Sequence, residues 1–501
     1  MVDDISQFKF PILTPYPGQV ELMQQLYQNL QHPSSKLCMV ESPTGTGKTL
    51  STLCSILAYL DSYYGLGNEK ENKISEINEE EDFVKWLKTQ ESYHSQHKKA
   101  KIAIENSQIH QKARKRILLG KNGIEPEEIG EDERCRIQKI FICSRTHSQL
   151  SQILKEFNRT DFKRNYSISV CGSRSQFCIN SDLKNCKSDL ELSERCKEAV
   201  KFSRCGHFNQ ENIEKSKFEI LNSLDDIEDL MKSEKNAKFS PCPFYSLNRA
   251  AEESDVVLMT YSHLFMNLVN FEQGIVIIDE SHNIEDALAG LFSNSLNRAY
   301  LQEIISSLDS YWKKFGNKMK ESSILILKKF KILSFKVLAL LNSYKSKNST
   351  ILQAAEFASS IDFDLKTALD IVCEAVDSKL LQKLHSFGDF TNKNIFQIQT
   401  FFSNLLNYHS LGVLAISESS LSFHLLDFKE LLHKIVSKSK LTILMAGTLT
   451  PFDATLSCLK SDFNSTLLSY GHVIDKKRAF ISALSSFVIT EKTKSHHLVL
   501  K

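Results

Sequence analysis

Residues 42–49, with the sequence SPTGTGKT, limit the possible folds more than any other part of the chain. The phosphate-binding pattern is glycine, four residues and then Gly-Lys-Ser/Thr, and Ser42 stands here at its first glycine. Gly45 and Gly47 let the backbone turn its amides toward phosphates. Lys48 can reach the β and γ phosphates, and Thr49 can ligate Mg²⁺. We therefore expect a nucleotide-binding loop of Ser42, Pro43, Thr44, Gly45, Thr46, Gly47, Lys48 and Thr49.

Short apolar runs recur along the chain and predict a buried sheet. They do not alternate with polar residues, which is typical of parallel strands that helices cover on both faces. Apolar residues at 50, 53, 54 and 57 recur at helical spacing and predict a helix over 49–60. A strand, a glycine-rich turn and a helix begin an α/β nucleotide-binding fold, so we predict a parallel sheet with helices on both faces. The five runs are 37–40, 140–143, 256–259, 275–278 and 441–445.

The composition fits a large globular chain. It has 501 residues, 42% hydrophobic and 24% charged, which excludes collagen-like and mostly disordered proteins and allows about three domains. The net charge of +2 creates no general attraction to nucleic acid, so any such site must be local. No secretory signal opens the sequence, and no apolar run reaches the ~18 residues of a membrane helix. We expect an intracellular chain without membrane contact, whose 12 cysteines bind metal or are simply buried.

Long segments between the runs predict three insertions. Residues 65–136 are rich in Glu, Lys and Gln, so we expect a charged insertion, partly helical and partly disordered. Residues 171–245 are rich in cysteine, and 289–438 have leucines at helical spacing, which predicts a helical subdomain. The sheet would then come from residues 1–64, 137–170, 246–288 and 439–501, the last including a divergent tail.

A second polar motif, DESH at 279–282, directly follows the apolar run 275–278. The carboxyl end of a buried strand is where α/β sheets bind their ligands. Asp279 is a candidate Mg²⁺ ligand, Glu280 could polarise the attacking water, and His282 could couple the nucleotide state to a neighbouring lobe. Taken alone, such an Asp-Glu pair has an alternative interpretation as an ordinary polar end of a strand. The phosphate-binding loop upstream favours a catalytic site of Lys48, Asp279, Glu280 and His282.

The order of these motifs resembles that of the XPD-like iron–sulfur helicases, a DEAH group of superfamily 2. Residues 42–49 and 279–282 correspond to that family's motifs I and II. Pro15, Tyr16 and Gln19 match its adenine-reading Q motif, so the resemblance adds Gln19 to the nucleotide-binding residues. Further matches are SRTHSQL at 144–150 (motif Ia), LMTYSHLF at 258–265 and AGTLTP at 446–451 (motif III). The charged insertion with its FVKWL segment, and GHVI at 471–474, resemble the sister-chromatid-cohesion branch of CHL/DDX-type helicases.

The resemblance implies one RecA-like lobe with an iron–sulfur insertion and a helical arch, and ATP, Mg²⁺ and a [4Fe–4S] cluster as cofactors. Its cluster ligands would be the thiolates of Cys178, Cys196, Cys205 and Cys242. Their wide spacing argues against a compact zinc finger. On the residues alone, zinc and ordinary reduced cysteines stay open, and Cys171 and Cys186 compete as ligands. Nearby basic residues could contact phosphates or form a solvated face: Arg174, Lys184, Lys187, Arg195, Lys197, Lys201 and Arg204.

Residues after the run 140–143 are candidates for contact with single-stranded or forked DNA. By resemblance to motif Ia, Arg145, Thr146 and His147 would touch the sugar–phosphate backbone without reading sequence. The alternative for Arg145 is an ordinary surface residue. Tyr261 and His263 could pack on the lobe surface as well as contact DNA.

The family's motor has two RecA-like lobes, and an arginine of the second lobe completes its ATP site. A QxxGRxxR-like segment that would carry this arginine is absent after AGTLTP, as are motifs IV and V. We therefore expect residues 1–501 to bind ATP–Mg²⁺ and DNA, to hydrolyse ATP feebly and not to unwind duplexes. Two classes of function stay open: an ATP-dependent DNA helicase of the 5′–3′ type, of which this would be a part, and a helicase-derived nucleotide- and DNA-binding module. Replication or cohesion proteins as partners, and a nuclear location, are implied by the resemblance alone.

Overall fold

The computed structural model describes residues 6–12, 14–32, 35–43, 45–63, 138–184, 186, 189–223, 241–266, 268–344, 349–380, 383–384, 397–452 and 464–471. The predicted charged insertion 65–136 lies outside these ranges, as do Thr44 and residues 472–474 of the GHVI segment. No helix in the described ranges combines the length and the apolar character that a membrane span needs.

Two sheets organise the described chain. Their strands are β1 (Leu37–Glu41), β2 (Ile140–Ser144), β3 (Ile168–Cys171), β4 (Val256–Thr260), β5 (Ile275–Asp279), β6 (Asn294–Asn297), β7 (Thr350–Leu352), β8 (Gly412–Ile416), β9 (Ser420–Leu425), β10 (Leu441–Ala446) and β11 (Ser465–Ser469). The first sheet has seven parallel strands in the order β11-β1-β10-β5-β2-β4-β3. The second has four antiparallel strands in the order β6-β9-β8-β7.

Sixteen helices accompany the sheets within the described ranges. They are α1 (Pro17–Gln31), α2 (Lys48–Tyr63), α3 (His147–Asn158), α4 (Arg174–Phe177), α5 (Ser181–Lys184), α6 (Asp189–Lys201), α7 (Gln210–Ser223), α8 (Pro243–Glu253), α9 (Tyr261–Phe265), α10 (Ile284–Phe292), α11 (Arg298–Phe315), α12 (Glu321–Ser343), α13 (Ala354–Ile361), α14 (Leu365–Asp377), α15 (Gln397–Tyr408) and α16 (Lys429–Lys438).

Helices cover both faces of the parallel sheet, as the apolar runs predicted. Ile140 and Ile142 of β2 pack with residues of α1, α2, α3 and α8 on one face. Phe141 and Cys143, which point the other way, pack with α9, α10 and α16. Every residue of β2, β4, β5 and β10 is therefore buried, which explains why these runs lack alternation. The predicted α/β class is confirmed.

The antiparallel sheet lies within residues 289–438, where leucine spacing predicted helices alone. Its strands pack with α11, α12, α13, α14 and α15 around a separate apolar core. Runs such as GVLAI in β8 are too short for periodicity to distinguish a strand from a turn of helix. We call residues 294–425 the antiparallel-sheet domain.

Candidate nucleotide site and cysteine cluster

The loop between β1 and α2 has the backbone that its glycines predict. Gly45 and Gly47 have φ of +81° and +77°, in the left-handed region that favours glycine. The Thr46 hydroxyl donates to the Pro43 carbonyl oxygen at 2.8 Å and lies 2.8 Å from the Ser42 Oγ. Because α2 begins just after this loop, its first amides have no partner within the helix and suit an anion.

Gln19 connects α1 to this loop. Its side-chain oxygen accepts from the Tyr16 amide at 2.9 Å, and its Nε2 donates to the Thr46 carbonyl oxygen at 2.8 Å. The side chain is buried, and Nε2 lies so close to Gly47 that a Cβ there would approach it to 2.3 Å. Gln19 thus links the start of α1 to the phosphate-binding loop, with one hydrogen bond to each.

Two carboxylates at the carboxyl end of β5 lie beside the phosphate-binding loop. Lys48 Nζ lies 3.3 Å from Asp279 Oδ1 and 3.4 Å from Glu280 Oε1. Burial raises the pKa of Asp279 above its ordinary value, and the Lys48 ammonium opposes that rise. Thr49 follows Lys48 in the first turn of α2 and is half-buried. The structure therefore brings the predicted lysine and both predicted carboxylates together at one edge of the sheet.

A chain of polar contacts leads from Glu280 to Arg145. His282 Nδ1 lies 3.3 Å from Glu280 Oε2, and its Nε2 lies 2.9 Å from Asn283 Nδ2. Arg145 in turn donates to Asn283 Oδ1 at 3.1 Å. Asn283 did not stand out in the sequence, because no motif chemistry identifies it. It links the candidate catalytic carboxylate to a candidate DNA-contacting residue.

The other predicted DNA contacts have local roles in this structure. Thr146 caps α3 and exchanges hydrogen bonds with Gln149, although its side chain is exposed. His147 packs edge-on against Phe177 at 5.9 Å between ring centres, and burial lowers its pKa. Arg145 is exposed.

The two residues of the LMTYSHLF segment whose role stayed open face inward. Tyr261 donates its hydroxyl to the Asp279 carbonyl oxygen, and burial raises the pKa of this phenol. His263 Nδ1 lies 2.9 Å from the Thr260 hydroxyl, and burial lowers the His263 pKa. Tyr261 therefore supports the carboxyl end of β5 rather than lying on the surface.

Glu41, the last residue of β1, connects the phosphate-binding loop to residues 446–451. Its carboxylate accepts from the Leu449 amide at 3.0 Å and from the Thr450 amide at 3.2 Å. The Thr450 and Ser469 hydroxyls donate to its second oxygen. Burial raises its pKa, but these hydrogen bonds outweigh it and hold the Glu41 pKa below the usual value. Sequence reasoning missed Glu41, because a carboxylate before the loop has no fixed partner in a pattern.

The four cysteines implied by the resemblance are all buried: Cys178, Cys196, Cys205 and Cys242 are between 6% and 8% exposed. Cys242 precedes α8, and the amides of Phe244 and Tyr245 point at its sulfur. Burial raises the pKa of Cys242 to about 12, opposed by these amides, while Cys196 and Cys205 lie near enough to add to the rise. Cys178 packs in the same buried cluster as Cys196, so the four cysteines lie in one protected region, and thiolates are the donors that suit an iron–sulfur cluster.

The two competing cysteines differ from this set. Cys171 is fully buried within β3, whereas Cys186 is half-buried and accepts from Arg195 at 3.6 Å. Within the described ranges, no group of three or more His, Cys, Asp or Glu side chains is arranged so that it could hold a metal ion. In the predicted basic patch, Arg174 turns inward and its Cζ lies 4.2 Å from the centre of the Phe244 ring.

Known proteins resemble the chain along most of its length. A family model described as DEAD_2 matches residues 142–301. The ATP-dependent DNA helicase CHL1 of Candida albicans is 24% identical over 95% of this chain and 70% of its own length. The Schizosaccharomyces pombe protein of the same name is 25% identical over 97% of this chain and 72% of its own length. The human ATP-dependent DNA helicase DDX11 is 24% identical over 79% of this chain and half (50%) of its own length.

The fold also has a counterpart among solved structures. A protein titled "Truncated XPD" superposes with a TM-score of 0.50 and 16% identity, over 90% of this chain and 99% of that one. This likeness concerns the fold alone. The matches to the DEAD_2 model and to the CHL1 and DDX11 helicases confirm the predicted resemblance to the XPD-like superfamily 2 helicases and to their CHL1/DDX11 branch.

Proposed function

We propose that this chain binds ATP–Mg²⁺ at the loop between β1 and α2 and hydrolyses it as part of an ATP-dependent DNA helicase motor. The observation that carries the proposal is the meeting of Lys48 with Asp279 and Glu280, at 3.3 and 3.4 Å, beside the glycine loop. The named activity of the CHL1 and DDX11 relatives supports the same conclusion.

Each residue of the site then has a role in phosphoryl transfer, which depends on positioning and charge. Lys48 binds the β and γ phosphates, and Glu280 orients the attacking water. The Thr49 hydroxyl and the Asp279 carboxylate are oxygen donors of the kind that Mg²⁺ prefers, so they fit the ion. When bound, the ion neutralises charge on the phosphates. Gln19 holds the loop and, by its resemblance to the Q motif, would read the adenine.

The polar chain from Glu280 to Arg145 supports coupling between nucleotide and DNA. Arg145 would bind a phosphate of single-stranded DNA, and Thr146 and His147 would border the same path. A change at Glu280 would pass through His282 and Asn283, whose contacts are 3.3, 2.9 and 3.1 Å. His282 is thus a positioning residue in this proposal.

We also infer that Cys178, Cys196, Cys205 and Cys242 hold a [4Fe–4S] cluster. Their shared burial and mutual proximity support this assignment, and Cys186 serves as the matched control. Substituting Cys242 by serine should remove iron and sulfide, whereas C186S should keep both, by chemical analysis of anaerobically purified protein. Zinc in place of iron would contradict the assignment.

The family supports finer proposals about the motor. Translocation would run 5′ to 3′ on single-stranded or forked DNA, in the nucleus, with replication or cohesion proteins as partners.

A binding and turnover assay on residues 1–501 tests the proposal. Binding of a fluorescent ATP analogue should be detectable and should weaken at least tenfold in K48A, which loses a charge-assisted contact to phosphate. The K329A variant, whose lysine pairs with Glu374 in the antiparallel-sheet domain, should bind like the wild type. Unchanged binding in K48A would overturn the nucleotide site. A wild type that binds the analogue but shows no ATP turnover would favour the nucleotide- and DNA-binding module.

A further inference from the structure

An asparagine side chain connects two parts of the cysteine-rich segment that each carry a proposed cluster ligand. Asn180 lies two residues after Cys178, and its Nδ2 donates to the Cys205 Sγ at 3.5 Å. Asn180 and Cys205 are 25 positions apart in sequence, so the fold brings them together. Cys205 is only 8% exposed and Asn180 is half-buried, so the sulfur is largely shielded from water.

The oxygen of the same side-chain amide fixes its orientation. The Asn180 Oδ1 accepts from the Asp182 backbone amide at 2.9 Å, and the Asn180 carbonyl oxygen accepts from the Leu183 amide at 3.2 Å. These are the bonds of a helix N-cap, and Asn180 directly precedes α5. A backbone amide can only donate, so the side-chain oxygen must face Asp182. The NH₂ group of Asn180 is therefore the part that faces the sulfur.

Packing and backbone hydrogen bonds anchor both ends of this contact. The helix α5 packs through Leu183 with Cys178 and Cys196 in one buried cluster. The loop that carries Cys205 is joined to Cys242, whose amide donates at 2.9 Å to the carbonyl oxygen two residues after Cys205. The hydrogen bond from Asn180 thus lies between two anchored segments, and it can fix the position of the sulfur.

We propose that Asn180 is a positioning residue for the [4Fe–4S] cluster, which holds the Cys205 sulfur in place and donates a hydrogen bond to it. Residues that hydrogen-bond to metal ligands orient them, and their loss typically lowers metal affinity about 10- to 100-fold. Hydrogen bonds to the sulfurs also set the reduction potential, because a donor stabilises the negative charge that an added electron brings. The inference rests on the proposed assignment of the cluster to these cysteines.

A helix cap alone would be a purely structural role, and two substitutions separate that role from the contact with sulfur. N180D keeps an oxygen for the Asp182 amide, since aspartate caps helices as well as asparagine does, but it replaces the donor by a carboxylate oxygen. Asn209 supplies the matched control, because it is exposed and its Oδ1 accepts from the Asn212 amide at 3.0 Å, directly before α7. N209D therefore makes the same chemical change at another helix cap of the same segment.

Iron retention and reduction potential, measured on anaerobically purified full chains, test the proposal. N180D should lower the midpoint potential in a reductive titration followed by electron paramagnetic resonance. It should also lower about 10- to 100-fold the EDTA concentration that removes half of the iron. N209D should match the wild type in both measurements. N180S keeps a cap oxygen but lacks the amide that reaches the sulfur, so it should change both values in the same direction and replaces N180D if that variant does not fold.

Binding of the fluorescent ATP analogue separates loss of the ligand position from loss of the fold. A variant that purifies without iron but binds the analogue like the wild type would support the positioning role. Loss of both iron and analogue binding in N180D and N180S would mean that Asn180 acts only through the fold, and the proposal would be wrong. Wild-type potential and iron retention in both variants would refute it equally.

The outcomes distinguish this inference from the proposed function. If the wild type holds iron and sulfide and C242S loses them, while N180D and N180S match N209D, the positioning role is wrong and the cluster assignment stands. If the wild type holds no iron, or zinc in its place, both are overturned.

Discussion

Replacing Gly47 by alanine tests how the phosphate-binding loop and α1 are joined. An alanine Cβ at Gly47 would lie 2.3 Å from Gln19 Nε2, which is closer than real Cβ contacts. Gly47 also has φ +77°, and adopting the left-handed region costs an L residue about 1–2 kcal/mol. Moving Gln19 away breaks its hydrogen bond to the Thr46 carbonyl oxygen, a loss of about 0.5–1.5 kcal/mol. We expect G47A to lower the free energy of unfolding by about 1.5–3.5 kcal/mol.

Gly45 supplies the matched control for this substitution. Its φ of +81° is nearly the same, but a Cβ there would meet nothing within 4 Å. G45A should therefore show only the conformational cost of about 1–2 kcal/mol. Alanine restricts the unfolded chain equally in both variants, so that effect cancels between them. Urea unfolding followed by circular dichroism measures the difference.

A double-mutant cycle with Q19A isolates the steric part. Removing the Gln19 side chain removes the atom that the new Cβ would strike, so G47A should cost less in the Q19A background than in the wild type. The expected coupling is about 0.5–1.5 kcal/mol, the value of the hydrogen bond that is no longer there to lose. Equal unfolding free energies for G47A and G45A, or a G47A cost that Q19A leaves unchanged, would refute the reasoning.

The other predictions concern the links around this loop. In the folded protein the pKa of Glu41 lies below its usual value, so the ionised carboxylate stabilises the fold. This stabilisation is complete at pH values above the pKa of about 4.3 that Glu41 has in the unfolded chain, and it is lost as the pH falls through the lower pKa of the folded state. The melting temperature of the wild type should therefore exceed that of E41Q at pH 7, and this difference in melting temperature should become smaller in acid. A difference that grows in acid would contradict the role of the Glu41 carboxylate. Y261F should destabilise the protein by about 0.5–1.5 kcal/mol in urea unfolding, because a buried carbonyl oxygen of β5 loses its donor. N283A should reduce the stimulation of ATP turnover by DNA while the KM for ATP stays constant, and an altered KM with intact stimulation would remove Asn283 from the coupling path.

The runs of apolar residues in the sequence predict the parallel sheet well, because consecutive residues of its strands are all buried. Runs such as 140–143 and 275–278 are apolar throughout, since helices cover both faces of their strands. The strands β3 and β11 are the exceptions. The strand β11 lies at the edge of the sheet and none of its residues is buried. The sequence ISVC of β3 includes a buried serine whose hydroxyl donates to the Leu247 carbonyl oxygen at 3.0 Å. A hydrophobic pattern does not reveal a buried polar residue whose hydrogen-bond partner lies on a helix distant in sequence, and β3 was not predicted for that reason.

In the candidate site, too, the residues that are neighbours in sequence could be predicted, whereas the residues that meet only in the fold could not. The glycine loop and the pair Asp279–Glu280 are consecutive residues, so their spacing alone predicts their chemistry. Arg145 and Asn283 meet although 138 positions separate them, because β2 and β5 are neighbouring strands whose carboxyl ends lie at one edge of the sheet. The order of the strands is set by the packing of the whole lobe, and the sequence of neither segment predicts it. The residues that join the loop, the carboxylates and the DNA candidates are therefore the ones that a motif cannot identify. They are also the ones whose substitution should impair coupling before it impairs nucleotide binding.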